Sequence, residues 1–311
     1  MTTPTRTTPR VVFLLAPGVH LLDVSGPAQV FCTVGDHAPH PWPLTYLAET
    51  PTVRSAQGLT LQAETDWPRL TRHDLLVVPG TQVGDTDPTG RFIPATLDRI
   101  VEHHACGGTV VSICSGAFTL AEAGLLDGRH ATTHHHLQDR LAAEFTAVTV
   151  VRDVLHVSDG HVHSSAGIAS GIDLALHLVT ERLGPSTESA VARDMVVYAR
   201  RNGQDAQVSA LLRHRNHLDD LVHRVQDIID ARFTEALPLQ ELAEAVAVSP
   251  RTLTRSFTRA LEMTPLQYQQ LLRRERADML ITAGVTVEAA AHEVGFEDAR
   301  MLRTLRRRDG R

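Results

Sequence analysis

Five short apolar runs punctuate the first part of the chain: "VVFLLAPG" (11–18), "LTYLAE" (44–49), "DLLVVPG" (74–80), "GGTVVSIC" (107–114) and "AVTVVRDVLHVSDG" (147–160). Helical patterns lie between them, at 22–36, 92–105, 115–124 and 135–144. Runs that are continuously apolar, instead of alternating with polar residues, belong to strands covered on both faces, and helices between strands supply that cover. The pattern therefore predicts an α/β sandwich with a mainly parallel sheet. In such sheets the loops at the carboxyl ends of the strands form the ligand crevice, so "APGVHLLD", "VVPGTQ" and "SICSGA" are expected to converge.

Beyond these runs the chain reads as helical. The polar, weakly periodic "NGQDAQVSALLRHRNH" (202–217) separates two blocks. We expect a first domain over 1–200, a linker over 201–217 and an all-helical domain over 218–311. Charge follows the same division. All 30 basic residues are arginine; residues 1–218 hold 16 of them against 21 acids, and residues 251–311 hold 12 against 8. A basic C-terminal end on a chain of net charge −6 suggests a polyanionic partner there. Three cysteines without C-x-x-C spacing suggest neither a disulfide scaffold nor a zinc knuckle. The polar, Pro-interrupted N-terminus and the lack of any run of about 18 apolar residues point to the cytoplasm and away from membranes.

The helical part contains a repeat. A shift of 48 residues aligns "LAEAVAVSPRTLTRSF" (242–257) with "AAHEVGFEDARMLRTL" (290–305) without a gap, setting Leu253 on Met301, Arg255 on Arg303 and Phe257 on Leu305. Each copy reads as a short helix, a turn and a second helix with an apolar stripe and exposed arginines, the helix-turn-helix pattern. In "SPRTLTRSFTRAL", Leu253, Phe257 and Leu261 recur at i, i+4 and i+8 and are expected inside; Arg251, Thr252, Thr254, Arg255, Thr258 and Arg259 are left outside. Arginine takes guanine bidentately and threonine meets thymine methyls or phosphates, so this face suits a DNA groove. Ser249 is placed to cap that helix and Pro250 to begin it.

The stretch from Leu239 to Leu305 resembles the DNA-binding domain of the AraC/XylS transcriptional regulators. It carries that pattern at Leu242, Ala243, Ser249, Arg251, Leu253, Arg255, Phe257, Pro265, Tyr268, Arg276, Ala277 and Leu280, with Gly295 and Phe296 as the "GF" of the second motif. The resemblance implies double-stranded DNA as partner, with Arg251, Thr252, Thr254, Arg255, Arg259, Arg300 and Arg303 at the interface. Two departures stand out. The family's second recognition helix usually follows its "GF" by one residue more than a gap-free alignment allows, and no second "G-x-x-P-x-x-Y" segment follows before Arg311. The second motif is expected to dock more weakly than the first.

"VVSICSGAFTLAEAG" (110–124) sets Cys114 between a buried strand and a helix N-terminus, with small residues on either side. Such an elbow exposes a nucleophile, and the helix dipole and nearby amides favour thiolate. A buried cysteine is also an ordinary core residue. Together "PG…LLD…GP", "ICSGAF…LAEAGLLDGRHATTHH" and "SAGIASGIDLALHLV" resemble the ThiJ/PfpI branch of the class I glutamine amidotransferase-like superfamily, over about 11–183. This implies a flavodoxin-like fold, with Cys114 as the elbow cysteine, Asp23 as the acid beside it and His134 as the histidine after the "TT" pair. Peptidase-like members carry histidine where Ser115 stands here, which disfavours peptidase chemistry.

Fused to an AraC/XylS module, as in GlxA-type regulators, such a domain is expected to sense a small molecule and to dimerise, with Asp23, Cys114, Ser115 and His134 at the ligand. The alternative is a cysteine-dependent enzyme, isonitrile hydratase-like or amide-processing, in which Cys114, Asp23 and His134 would be catalytic. His130, His134, His135, His136, His156, His161 and His163 cluster in sequence, but "HHH" lacks the i, i+4 spacing that sets ligands on one helix face. No metal and no cofactor is expected. The small residues of "SAGIASGIDLAL" are expected to let a helix approach the sheet.

Overall fold

The computed structural model describes residues 8–82, 92–197, 201–207, 214–215, 217–282 and 284–309. The chain divides into two units, Met1–Gln207 and Val208–Arg311. In the first, a six-stranded sheet runs in the order β2 (Leu44–Ala48), β1 (Val11–Leu15), β5 (Leu75–Val78), β6 (Thr109–Ile113), β10 (Val162–Ser165) and β9 (His156–Asp159). All neighbours are parallel except β9, which runs antiparallel on the edge against β10. A hairpin of β3 (Thr52–Arg54) and β4 (Thr60–Gln62) and a small pair of β7 (His130–Ala131) and β8 (Thr149–Val150) stand apart from it.

The continuous apolar runs are explained by cover on both faces. Val11, Phe13 and Leu15 of β1 pack with Val24 and Phe31 of α1 (Leu21–His37) and with Leu174 and Leu178 of α5 (Ser170–Leu183). Val12 and Leu14 point the other way, into a second core with Ile100 of α2 (Pro94–Ala105) and Phe118 of α3 (Gly116–Glu122). The stretch 147–160, expected as one strand, is instead β8 and β9. Asp153, at φ 53°, interrupts it, and Gly160, at φ 64°, turns the chain back into β10. The parallel strand β10, "VHSS", lies in polar sequence that carries no strand signal; His163 within it is buried but bonded to Ser158 Oγ at 2.8 Å. Two further helices complete the unit, α4 (Gln138–Glu144) and α6 (Pro185–Asp194).

The described residues of the stretch expected as linker are tied to the two units. Arg201–Gln207 is a strap on the first unit: Arg201 pairs with buried Asp173, and the Gly203 carbonyl accepts the amides of Leu155 and His156 at 2.8 and 3.2 Å. Residues 208–213 and 216 lie outside the described residues. Arg215 pairs with Asp227 and Asp230 of the second unit, and His217 with its Gln226.

The second unit is helical: α7 (Asp220–Arg232), α8 (Leu239–Ala245), α9 (Pro250–Leu261), α10 (Pro265–Thr282), α11 (Val287–Glu293) and α12 (Ala299–Asp309). Leu242, Leu253, Phe257 and Tyr268 form one small core with α7; Ala277, Ala291, Val294, Phe296 and Leu302 form another. Helix α10 serves both. Arg273 on it donates to the carbonyls of Phe233 at 2.6 Å, Glu235 at 2.7 Å and Gly295 at 2.7 Å, and stacks over Phe296.

The gap-free alignment of the two motifs holds only through the turn. Ala243 and Ala291 are both buried, as are Val246 and Val294, and Ala247 and Gly295 both take positive φ, at 57° and 85°. After the turn the offset becomes 49. Ser249 caps α9 by accepting the Thr252 amide, whereas Asp298, not Glu297, accepts the Arg300 amide at 2.7 Å. Leu253 is matched by fully buried Leu302, while Met301 is half exposed. The second turn is one residue longer: Phe296 stands at the place of Val248, and Glu297 is the extra residue before Asp298 and the helix that begins at Ala299.

Among the described residues, no helix is long and apolar enough to cross a membrane.

Candidate functional site

The three loops expected to meet at the carboxyl ends of the strands do meet. Val19 and Thr81 form an antiparallel bridge, and the Gln82 amide donates to the Gly18 carbonyl at 2.7 Å. The Thr81 amide donates to Ser115 Oγ at 2.8 Å while that hydroxyl donates back to the Thr81 carbonyl at 3.0 Å. Ser115 is thus a tie between the β5 loop and the elbow, with its hydroxyl engaged by backbone.

Cys114 ends β6 at φ 55°, the left-handed conformation that a sharp strand-to-helix turn demands. Glycines make room for it. A Cβ on Gly167 would stand 2.1 Å from Cys114 Cβ, one on Gly80 would stand 2.7 Å from Cys114 Cβ and 2.5 Å from Asp23 Oδ2, and one on Gly116 would meet the Val78 carbonyl at 2.1 Å. In the Gly-rich stretch, Gly171 serves the close helix packing expected there, against Pro27 and Ile113, whereas Gly167 backs the cysteine. That second role carries no local signal, because it depends on β6 and β10 being neighbours.

Asp23, in the first turn of α1, is fully buried. Its Oδ1 accepts the Ile168 amide at 2.7 Å and its Oδ2 the Gly80 amide at 3.1 Å. Burial raises its carboxyl above the ordinary range; the Ile168 amide, the nearby His20 and the Gly80 amide oppose that. Cys114 departs from the expected thiolate. Burial, then the charge of Asp23, push its thiol up to about 12, and the Ser115 amide only partly compensates. The elbow's amides favour thiolate, but desolvation and a carboxylate beside the sulfur outweigh them. At neutral pH the sulfur is therefore a thiol.

His134 lies close by in sequence to Thr133, whose hydroxyl donates to the Cys114 carbonyl at 2.7 Å. It is half-buried and caps a 3-10 turn, His135–Leu137. Burial, then His135, His136 and His20, pull its imidazole down to about 4. Sequence reasoning missed Gln207. Its amide nitrogen donates to the Thr133 and Val154 carbonyls, both at 3.0 Å, and its backbone amide donates to Asp153 at 3.1 Å. A continuous hydrogen-bonded path therefore runs from Cys114 through Thr133 to the strap. No motif predicts that a glutamine in a polar connector will bond these carbonyls; only the fold brings it there.

On the second unit, α9 presents Arg251, Arg255, Thr258 and Arg259 outward with Leu253, Phe257 and Leu261 buried. Thr252 joins the cap through Ser249 Oγ at 2.9 Å, and the Thr254 hydroxyl donates to the Pro250 carbonyl at 2.9 Å. Arg251 and Arg255 have no acidic partner among the described residues, and Arg259 only a 3.5 Å contact with Asp219. The second motif differs. Arg303 pairs with Glu288, Arg306 with Asp278 at 2.8 Å, and Arg300 lies 3.8 Å from Asp298. The one-residue offset sets Arg300 at the place of Arg251 and Arg303 at the place of Thr254, so Arg255 is answered by Thr304 instead of by Arg303.

Comparison with known proteins follows the same two-part division. Residues 9–181 match the DJ-1/PfpI family, and residues 242–308 match a helix-turn-helix domain. The HTH-type transcriptional regulator CdhR of Pseudomonas aeruginosa is 30% identical over 248 residues, covering 79% of this chain and 72% of CdhR. Isonitrile hydratase of Pseudomonas putida is 35% identical over 183 residues, 58% of this chain and 75% of the hydratase. Among solved structures, a ThiJ/PfpI family protein from Pseudomonas syringae superposes with a TM-score of 0.54 at 25% identity, covering 72% of this chain and 89% of that one. A putative transcriptional regulator protein from Vibrio parahaemolyticus superposes with a TM-score of 0.55 at 22% identity, over 60% of this chain and 99% of that one, a likeness of fold. By sequence and by fold, the chain belongs to the DJ-1/PfpI family and carries a helix-turn-helix domain behind that fold.

Proposed function

We propose that this protein is a transcriptional regulator of the cytoplasm, which binds double-stranded DNA as a homodimer and responds to a small-molecule effector. The observation that carries the reading is the basic face of α9: Arg251 and Arg255 without acidic partners among the described residues, on a helix whose opposite face is buried. An arginine fork that is not neutralised within the protein is free to take guanine edges or phosphates. CdhR, similar over 79% of the chain, is named an HTH-type transcriptional regulator.

The effector site we assign to the Asp23–Cys114 end of the sheet. A ligand there shifts an equilibrium only by binding two arrangements differently. The path from Cys114 through Thr133 to Gln207 gives it an element to bias, since Gln207 is the last described residue before the chain continues into the second unit. Incubating the full chain with fragmented genomic DNA and sequencing the protected pieces tests the reading: a shared motif is expected, with affinity falling steeply as salt rises. Protection without sequence preference and without salt dependence overturns it.

A second reading, an isonitrile-hydratase-like enzyme, is favoured by one observation, the Asp23–Cys114 pair in a chain similar to that hydratase. The high thiol pKa weighs against attack by sulfur at neutral pH.

A further inference from the structure

We propose that His134, His135 and His136 form a binding site for a borderline transition-metal ion of the zinc, cobalt or nickel class, through three imidazoles that converge where the chain enters a 3-10 turn. On an α-helix three consecutive side chains diverge, and that geometry is the ground on which "HHH" carries no metal expectation from its sequence. Here His134 is still extended, at φ −53° and ψ 137°, and the chain tightens only after it, with the Leu137 amide bonded to the His134 carbonyl at 2.7 Å. The rings consequently converge, with centroids 4.2 Å apart for His134 and His135, 4.1 Å for His135 and His136, and 5.3 Å for His134 and His136. One nitrogen from each ring lies within 4.8 Å of the others.

A tetrahedral ion with nitrogen ligands at 2.0–2.1 Å sets those nitrogens about 3.3 Å apart, so closure asks for shifts of up to about 1.5 Å. His135 and His136 are exposed and their rings have no hydrogen-bond partner among the described residues, so rotation about their side-chain bonds supplies it. His134 Nδ1 accepts the His136 amide at 3.4 Å, which leaves the ring proton on Nε2. Ligation through Nε2 moves that proton to Nδ1 and gives up this long contact; ligation through Nδ1 displaces it directly.

The surroundings suit a cation. Asp153 acts on His135 from the loop before β9, and the Asp153 carboxylate is held in turn by the Gln207 amide at 3.1 Å. A carboxylate this near favours positive charge at the histidines. Three imidazoles with no carboxylate among the ligands select zinc-class ions over magnesium or calcium, and leave a fourth position open to water.

Titrating the full chain with Co²⁺, followed by visible absorption, and then with Zn²⁺ in competition tests the site. We expect one equivalent bound, cobalt d–d bands without thiolate charge-transfer bands, and binding weakened at least about 100-fold by His135→Ala/His136→Ala, more than losses of outer partners cost. Both residues are exposed, so the double variant keeps its fold, checked by circular dichroism. The control His217→Ala/His223→Ala, which removes the stacked pair of the second unit, leaves the affinity unchanged. No saturation at millimolar Co²⁺, thiolate bands, or binding undiminished by the first double variant overturns the site.

Discussion

If the first motif carries most of the DNA affinity, Arg255→Ala and Arg303→Ala will differ in a way that the ion pairs set. Arg255 is exposed and has no acidic partner among the described residues, so its full charge is available to DNA. Losing one such arginine costs about 1–3 kcal/mol, or roughly 5- to 150-fold in affinity. Arg303 begins from its pair with Glu288, both side chains being about half exposed or more, at 47% and 66%. An exposed pair of this kind is worth about 0.2–1 kcal/mol, which must be surrendered before Arg303 reaches a phosphate. The loss on Arg303→Ala is smaller by that amount. Glu288→Gln frees the guanidinium and should tighten binding about 1.4- to 5-fold, but only while Arg303 is present. The assay is fluorescence anisotropy on a duplex selected by the full chain, at several salt concentrations. Arg255→Ala should also flatten the dependence of log K on log salt by about 0.9 if it meets a phosphate. Equal losses at Arg255 and Arg303, with Glu288→Gln changing neither wild type nor Arg303→Ala, refute the reasoning.

Two further outcomes follow from the geometry. Because the folded thiol of Cys114 is held up at about 12 against 9.0 for a free one, the unfolded chain releases that proton first. This stabilisation is full below pH 9 and is lost as pH rises toward 12; urea midpoints should decline above pH 9, and less so in Cys114→Ala. Arg273→Lys keeps the charge but cannot serve carbonyls of Phe233, Glu235 and Gly295 together. We expect a loss of about 2 kcal/mol in urea unfolding of the second unit, with faster amide exchange around the second turn; a change within about 0.5 kcal/mol contradicts the clamp.

Much of this was readable from residue order, because the signals are local. Continuous apolar runs predict strands covered on both faces, and β1, β2, β5 and β6 lie where those runs stand. The i, i+4, i+8 stripe of α9 and its Ser249 cap depend only on neighbours within a turn or two, and both are present. The turn inside the second motif was less legible: a shift of 48 fits the letters, but the burial of Leu302 in place of Met301 shows only in the packing.

What the sequence determined by itself is the pair of architectures, their order and the elbow at Cys114, since periodicity, caps and glycine turns act over short spans. What tertiary structure alone decided is the chemical state of that elbow and its connections. The thiol is protonated because the fold buries it and, second, because it sets Asp23, 91 residues away in sequence, beside it. Gln207 reaches Thr133 across 74 residues, and three histidines converge where His134, at φ −53° and ψ 137°, leads into a 3-10 turn. Desolvation and through-space charge depend on distance in space, which residue order does not carry.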